Sequence, residues 1–231
     1  MKEKLLRYLE TFLTQRRSDL INQVLEYRTR YITIVLEDIY QPQNASAVIR
    51  TCDCLGIQDV HIIENRNRYR VNPDVTLGSD KWLNLIRYRK YDDNSIEAIN
   101  VLKKSGYRII ATTPHSQSQT PDEFDLHKGK AAIFFGTELK GLSDSVLKNA
   151  DEFLQIPMFG FTRSFNISVS AAIILYHLTN RLRDSLIKWQ LSGDECTALK
   201  TKWIKNSLKL GESVNSYPEK RKDDQGETQD R

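Results

Sequence analysis

Residues 31–56 read YITIVLEDIYQPQNASAVIRTCDCLG, and this stretch predicts one strand, one turn and one helix in succession. The run 31–36 is apolar and rich in β-branched side chains, which is typical of a strand buried on both faces of a parallel sheet. A polar turn containing Pro42 follows. Residues 45–55 then have helical composition and end at Gly56, a residue type that commonly closes helices. The stretch therefore predicts the strand-and-helix unit of an α/β fold.

The same alternation continues along the chain. Short apolar runs at 60–63, 107–111, 131–135 and 153–156 predict further strands, with helical stretches between them. We therefore predict an α/β fold with a mostly parallel sheet and helices on both faces, preceded and followed by terminal helices. The helical stretches are most of 2–15, a short one near 20–25, and 95–104, 143–149, 166–186 and 195–208.

The composition narrows the class of protein. A chain of 231 residues corresponds to one ordinary domain with extensions. It has no uninterrupted run of ~18 apolar residues, and charged residues interrupt its start, so we expect neither a membrane span nor a secretion signal. Three cysteines cannot form a disulfide framework, and Cys52 and Cys54 lie two residues apart in a predicted helix, so their side chains point in different directions and make a poor metal pair. We predict a cytoplasmic protein with core thiols and no metal site.

The charge distribution raises the possibility of a nucleic-acid partner. The formal net charge is only +4, but residues 1–30 carry seven basic side chains against four acidic ones, and residues 181–222 carry ten against five. A third basic cluster is interleaved with aromatic residues, an arrangement that can pair with phosphates and stack on bases. A solvated surface would have the same composition, so both interpretations stay open. The cluster comprises Arg66, Arg68, Arg70, Lys81, Arg87, Arg89 and Lys90, with Tyr69, Trp82 and Tyr88.

Three loops that follow predicted strands have unusual compositions. Ligands bind at the carboxyl ends of strands in open parallel sheets, so these loops are candidate site segments. In QPQNASAVIR (41–50), Asn44 and Arg50 lie six residues apart along a helix, and Asn44 can also be a plain helix cap. GTELKGL (136–142) places two glycines around an acid, and IPMFGFTRSFNISVSAA (156–172) leads into a helix of small residues. Each loop alone is also an ordinary strand-to-helix connection.

Together, the three segments resemble the motifs of the SpoU (TrmH-type) RNA 2′-O-ribose methyltransferase family of the SPOUT superfamily. The resemblance covers about residues 15–185 and is greatest to the branch that modifies tRNA guanosine. It implies a C-terminal deep trefoil knot, a homodimer and S-adenosylmethionine as methyl donor. It also implies a knotted domain at 31–185, between a basic helical extension at 1–30 and a basic helix at 186–211. The low aliphatic content of 212–231 predicts a disordered tail.

The resemblance assigns activation of the ribose 2′-hydroxyl to Arg50, with Asn44 positioning either that hydroxyl or the arginine, and no metal is needed. A guanidinium keeps its proton far above neutral pH and is a poor base. We therefore expect Arg50 to hold a phosphate and stabilise charge on the ribose 2′-oxygen, while a phosphate oxygen or water takes the proton. The implied cofactor-binding residues are Thr112, Gly136, Glu138, Ile156, Met158, Phe165 and Asn166.

The resemblance also implies the RNA substrate. Only about 30 residues precede the first predicted strand, which favours tRNA guanosine 18 over rRNA, because rRNA-modifying relatives carry a separate RNA-binding domain. Three alternatives stay open: another tRNA position or rRNA, a non-catalytic RNA-binding protein, and a small-molecule enzyme, which the scattered histidines support poorly. The terminal residues implied in gripping tRNA are Arg7, Arg16, Arg17, Arg181 and Arg183.

Overall fold

The computed structural model of the chain describes residues 2–113 and 118–208. The tail predicted at 212–231 and the last residues of the helix predicted up to 211 lie outside these ranges. The described residues divide into two compact units, residues 24–191, and residues 2–23 together with 192–208.

Residues 24–191 contain a sheet of six strands in the order β3-β2-β1-β5-β4-β6. Every pairing in it is parallel. Strand β1 lies at the centre, and its Ile34 is level with Val60 of β2 and Ile133 of β5. The parallel sheet predicted from the sequence is therefore confirmed. The strands are β1 Ile32–Glu37, β2 Asp59–Ile63, β3 Asn84–Tyr88, β4 Arg108–Thr112, β5 Ala131–Phe135 and β6 Glu152–Leu154.

Helices cover both faces of this sheet. Ile34 and Ile133 belong to a core that includes side chains of α3 and α7, whereas Val35 and Phe134 belong to a second core with α5 and α6. Neighbouring residues of one strand thus enter different cores, because successive side chains of a strand point to opposite faces. The helices are α1 Lys2–Glu10, α2 Gln15–Glu26, α3 Pro42–Cys54, α4 Pro73–Thr76, α5 Asn94–Lys104, α6 Asp144–Asn149, α7 Ile167–Arg183 and α8 Gly193–Ser207, with single 3-10 turns at Ser79–Lys81 and Leu126–Lys128.

The smaller unit is helical. Helices α1 and α8 pack against each other, and their side chains Leu9, Leu199 and Trp203 are buried. Lys200 of α8 forms an ion pair with the carboxylate of Glu10. Helix α8 begins with a capping box, in which the Ser192 side chain accepts from the backbone N–H of residue 195.

Two details of the sequence-based prediction are wrong. The helix expected from residue 45, with Asn44 as a possible cap, begins instead at Pro42, and Gln41 is the cap residue. Proline suits the first helical position because the amide hydrogen it lacks would have no partner there. Cys52 is buried as expected, but Cys54 is exposed, because two residues correspond to a turn of about 200° around a helix.

The segment 65–90, which carries the third basic cluster, contains helix α4 and strand β3, two elements that were not predicted from the sequence. Strand β3 pairs only with β2 and forms an edge of the sheet. Its residues are mostly half-buried and include the exposed Arg87, so it lacks the apolar run by which a central strand is recognised.

Among the residues that the structure describes, no helix is both long and apolar enough to cross a membrane. The same residues contain no group of three or more His, Cys, Asp or Glu side chains that could hold a metal ion.

Candidate active site

A chain of hydrogen bonds joins the three unusual loops at the carboxyl edge of the sheet. The Asn44 side-chain amide, in the first turn of α3, donates to the carboxylate of Glu138. The Asn166 side-chain amide donates in turn to Asn44 Oδ1 (3.2 Å). Asn166 Oδ1 accepts from the backbone N–H of Ser168 (2.8 Å) and caps α7. Residues that are far apart in sequence therefore meet, and each is held by the next.

The loop that carries Glu138 is a tight turn. The backbone N–H of Thr137 donates to the Gly141 carbonyl (3.0 Å), and the N–H of Gly141 donates back (2.9 Å). Gly141 has a φ of +67°, which glycine adopts at low cost. A Cβ at Gly136 would lie 2.2 Å from the Gly141 carbonyl carbon and oxygen, so a side chain has no room there. The two glycines thus let the backbone fold back on itself beside Glu138.

A cavity of about 360 Å³ lies next to this turn, lined by the loops that follow β4, β5 and β6 and by α7. Its size falls within the ~300–1,000 Å³ common for small-ligand sites. The resemblance implies seven cofactor-binding residues, and six of them line this cavity. The seventh, Asn166, does not line it but contacts Asn44 as described above. The six that do are Thr112, Gly136, Glu138, Ile156, Met158 and Phe165.

Arg50 occupies a different place from Asn44. It is exposed and lies in a neighbouring groove of about 630 Å³ between α3 and α7, which Ile173, Tyr176 and Val75 also line. Its guanidinium has no hydrogen-bond or ion-pair partner among the described residues. All of its N–H donors are therefore available to an anion.

Glu37, at the end of β1, is a site residue that sequence reasoning missed. Its carboxylate is buried and accepts from the Ser95 hydroxyl, from the backbone N–H of Ser143 (2.8 Å) and from the Ser143 hydroxyl (2.6 Å). Ser143 caps α6 and follows the turn at 136–141, so Glu37 holds the end of that turn. A signal was present, since an acidic residue directly follows the apolar run 31–36.

The histidine nearest the centre of the sheet is a structural residue. His61 is buried in β2, and its Nδ1 is 2.8 Å from the Tyr88 hydroxyl of β3. Burial lowers the pKa of His61 to about 4, so the ring is neutral at neutral pH.

The arginines proposed to grip RNA differ in their surroundings. Arg7 and Arg16 are exposed and have no partner within the described part of the chain. Arg17 is half-buried and approaches a hydroxyl of α8 at 3.4 Å. The guanidinium of Arg181 donates to a backbone carbonyl, and so does that of Arg183 (2.7 Å). Arg181 and Arg183 therefore already use part of their N–H donors in hydrogen bonds within the protein.

Comparisons with known proteins identify the family of the chain. The SpoU rRNA Methylase family matches residues 31–176. The tRNA (guanosine(18)-2′-O)-methyltransferase of Borreliella burgdorferi is 48% identical over 201 residues, which cover 87% of this chain and 90% of that protein. The enzyme of the same name from Thermus thermophilus is 34% identical, over 71% of this chain and 81% of its own. The crystal structure of the A. aeolicus TrmH/SpoU tRNA modifying enzyme is similar with a TM-score of 0.73 and 27% identity, over 84% of this chain and 98% of that one. The chain therefore belongs to the SpoU rRNA Methylase family.

Proposed function

We propose that this protein transfers a methyl group from S-adenosylmethionine to the ribose 2′-hydroxyl of guanosine 18 in tRNA. The observation that carries the proposal is the hydrogen-bonded chain Glu138–Asn44–Asn166, which joins three family motifs at one cavity. The substrate rests on the 48% identity to a relative named for that reaction, along nearly the whole of both chains.

The cavity suits a nucleoside-sized cofactor. Leu142, Leu154 and Ile156 supply apolar walls, and the turn at 136–141, which folds back on itself because position 136 bears no side chain, supplies backbone groups to the lining. Apolar walls with a few fixed polar groups are typical of cofactor sites. When bound there, S-adenosylmethionine supplies an electrophilic methyl group on a sulfonium.

Residues of the chain orient the reactants and stabilise the charge that develops during the reaction. Asn44 holds the Glu138 carboxylate in place at the cavity. Arg50, whose donors are free, binds a phosphate of the RNA through its planar fork and stabilises the negative charge that develops on the 2′-oxygen. Because a guanidinium group is a poor base, the hydroxyl proton leaves to a phosphate oxygen or to water.

We also propose that the protein acts as a homodimer, assembled through the groove that contains Arg50. Val169, Ile173 and Tyr176 lie along one face of α7 and are exposed. An exposed apolar stripe on a helix is unfavourable in water and is usually covered by a partner. A second copy seated there would bring its own surface next to Arg50.

Size-exclusion chromatography with light scattering tests the dimer. We expect a dimer for the wild type and a monomer for Ile173→Glu, which buries a charge in the proposed interface. Leu186→Glu is the matched control, since Leu186 is exposed and lies outside this groove. A wild type that elutes as a monomer at all concentrations would contradict the dimer.

The remaining expectations of the resemblance also stand as proposals. We propose a knotted methyltransferase domain at 31–185, with the segment after β6 forming the trefoil knot, and RNA-gripping roles for the basic segments 1–30 and 186–211. The match of residues 31–176 to the SpoU rRNA Methylase family supports this proposal, because the knot is what the resemblance to that family implies. A tRNA substrate favours action in the cytoplasm.

Methyl transfer from labelled S-adenosylmethionine to an unmodified tRNA transcript tests the reaction, with the labelled nucleotide located by the alkali resistance of its 3′ linkage. We expect label at guanosine 18 and a loss of about 10²-fold or more in kcat/KM for Arg50→Ala. Arg50→Lys keeps the charge but loses the fork, and we expect at least a tenfold loss. Lys148→Ala, a charge removal on α6, is the control.

The result of this assay distinguishes the proposed reaction from its alternatives. Label at another tRNA position or in rRNA fragments would support the alternative substrate, and no label on any RNA would favour a non-catalytic RNA-binding protein. An Arg50→Lys variant with a near wild-type rate would refute the phosphate clamp.

A further inference from the structure

A row of exposed arginines follows strand β2. Residues 65–70, here called the arginine loop, alternate in exposure: the side chains at 66, 68 and 70 are exposed, and those at 65, 67 and 69 are partly or fully buried. The exposed members are Arg66, Arg68 and Arg70. Two residues of chain span at most about 7 Å, so the loop presents three guanidinium groups in a short row on one side.

The start of the arginine loop is held by one carboxylate. Asp38, directly after β1, accepts through Oδ1 from the backbone N–H groups of Asn65 (2.8 Å), Arg66 (2.8 Å) and Asn67 (3.2 Å). The Asn67 side-chain amide also donates to the Asp38 carbonyl (2.8 Å). Asp38 has a φ of +52°, a costly conformation for a non-glycine residue. The loop is thus fixed by the protein's own contacts.

The end of the loop is fixed by Tyr69. Its backbone N–H donates to the buried carboxylate of Glu64 (2.7 Å), and its hydroxyl is 3.0 Å from the Ser46 hydroxyl of α3. The Arg87 guanidinium of β3 lies 5.5 Å from the Tyr69 ring centre and donates to the Tyr69 carbonyl (3.3 Å). Ser46 is two residues after Asn44. The arginine loop therefore lies at the same edge of the sheet as the proposed active site.

The outward side chains have no counterions among the residues that the structure describes. Within the described ranges, none of Arg66, Arg68 and Arg70 has a side-chain hydrogen bond or ion pair, and the same is true of Arg89 and Lys90 after β3. An Arg fork matches phosphate geometry, and a pre-ordered loop loses little entropy on binding. The arrangement differs from a solvated charge run because buried polar groups hold its backbone.

We propose that the arginine loop, with Arg89 and Lys90, binds the phosphate backbone of the RNA substrate outside the catalytic cavity. The inference rests on the proposed function for the RNA nature of the substrate. After the loop the chain enters α4, whose Val75 lines the groove of Arg50, so one short segment of chain connects the arginine loop with the surroundings of Arg50.

The test compares two double variants of the full chain. Arg66→Ala/Arg68→Ala removes two charges from the loop. Lys104→Ala/Lys148→Ala removes two exposed charges from the last turns of α5 and α6, which point to the opposite edge of the sheet. The Kd for an unmodified tRNA transcript is measured as a function of salt, together with kcat, KM and S-adenosylmethionine affinity.

We expect the loop variant to bind tRNA about tenfold more weakly, with a salt slope lower by about 1.4 to 1.8 for two lost contacts. The S-adenosylmethionine affinity and the unfolding temperature should not change. The control should match the wild type, and Arg66→Lys/Arg68→Lys should keep most of the slope.

A loop variant whose Kd and slope equal those of the control overturns the proposal. If the wild type methylates tRNA in that case, the proposed function still stands. If the wild type methylates no RNA but the loop variant loses tRNA binding, the binding surface stands and the reaction fails.

Discussion

Replacement of Gly136 by alanine tests the turn beside the cavity most directly. The added Cβ would lie 2.2 Å from the Gly141 carbonyl carbon and oxygen and 2.4 Å from the Leu142 nitrogen. Carbon atoms in contact prefer about 3.5 Å or more, so the two backbone segments must separate by about 1.3 Å. All three atoms belong to the backbone, and no side-chain rotation can relieve the overlap. Overpacking of this kind costs about 1–3 kcal/mol of unfolding free energy.

The displacement would be transmitted to the site. Glu138 lies two residues after Gly136, and its carboxylate accepts from Asn44. A misplacement of about 1 Å in a catalytic site reduces the rate by about 10²-fold. We therefore expect Gly136→Ala to lose about two orders of magnitude in kcat/KM and to bind S-adenosylmethionine more weakly, with an unfolding temperature lower by a few degrees.

Isothermal titration calorimetry, methyl-transfer kinetics and thermal unfolding measure these three effects. Gly193→Ala is the matched control, because its Cβ would meet no atom within 4 Å and the position is helical. If Gly136→Ala kept the wild-type cofactor affinity and unfolding temperature, the close approach would not be a constraint on this fold and the reasoning would be refuted.

Three further predictions concern stability. Burial lowers the pKa of His61 to about 4 in the folded chain, below the ~6.5 of an unfolded chain. Between pH 6.5 and pH 4 the unfolded state therefore binds more protons than the folded state. The free energy of unfolding should drop by up to about 3 kcal/mol as the pH falls through this range. Urea titrations across that range should show the drop and His61→Gln should flatten it; an equal pH dependence in both proteins would contradict it. Glu37→Ala leaves both donors of Ser143 without their buried acceptor and should cost about 2–4 kcal/mol in chemical denaturation, whereas a loss under 0.5 kcal/mol would rule out its anchoring role. Asp53→Ala removes the carboxylate paired with the buried Arg28 and should cost about 3 kcal/mol, which an unchanged denaturation midpoint would disprove.

The central strands were predictable from sequence, and the edge strand β3 was not. β1 and β5 are buried on both faces, so nearly every residue is apolar and the run is visible without a structure. β3 pairs on one side only and carries exposed arginine, so its sequence resembles that of a loop. The start of α3 was missed for a local reason, because Pro42 can end a strand or begin a helix and only the tertiary course of the chain distinguishes the two.

The sequence by itself determined the succession of strands and helices, since burial imposes a composition on each element, and it also contained the motif residues of the site. Tertiary structure alone decided which of them touch. Asn44 meets Glu138 and Asn166, although more than 90 residues separate Asn44 from each, because parallel strands bring their carboxyl ends to one edge. Arg50 lies on the same helix as Asn44 but faces the groove between α3 and α7. Side-chain direction depends on helix rotation and on what packs against it, and neither is encoded in the spacing of residues alone.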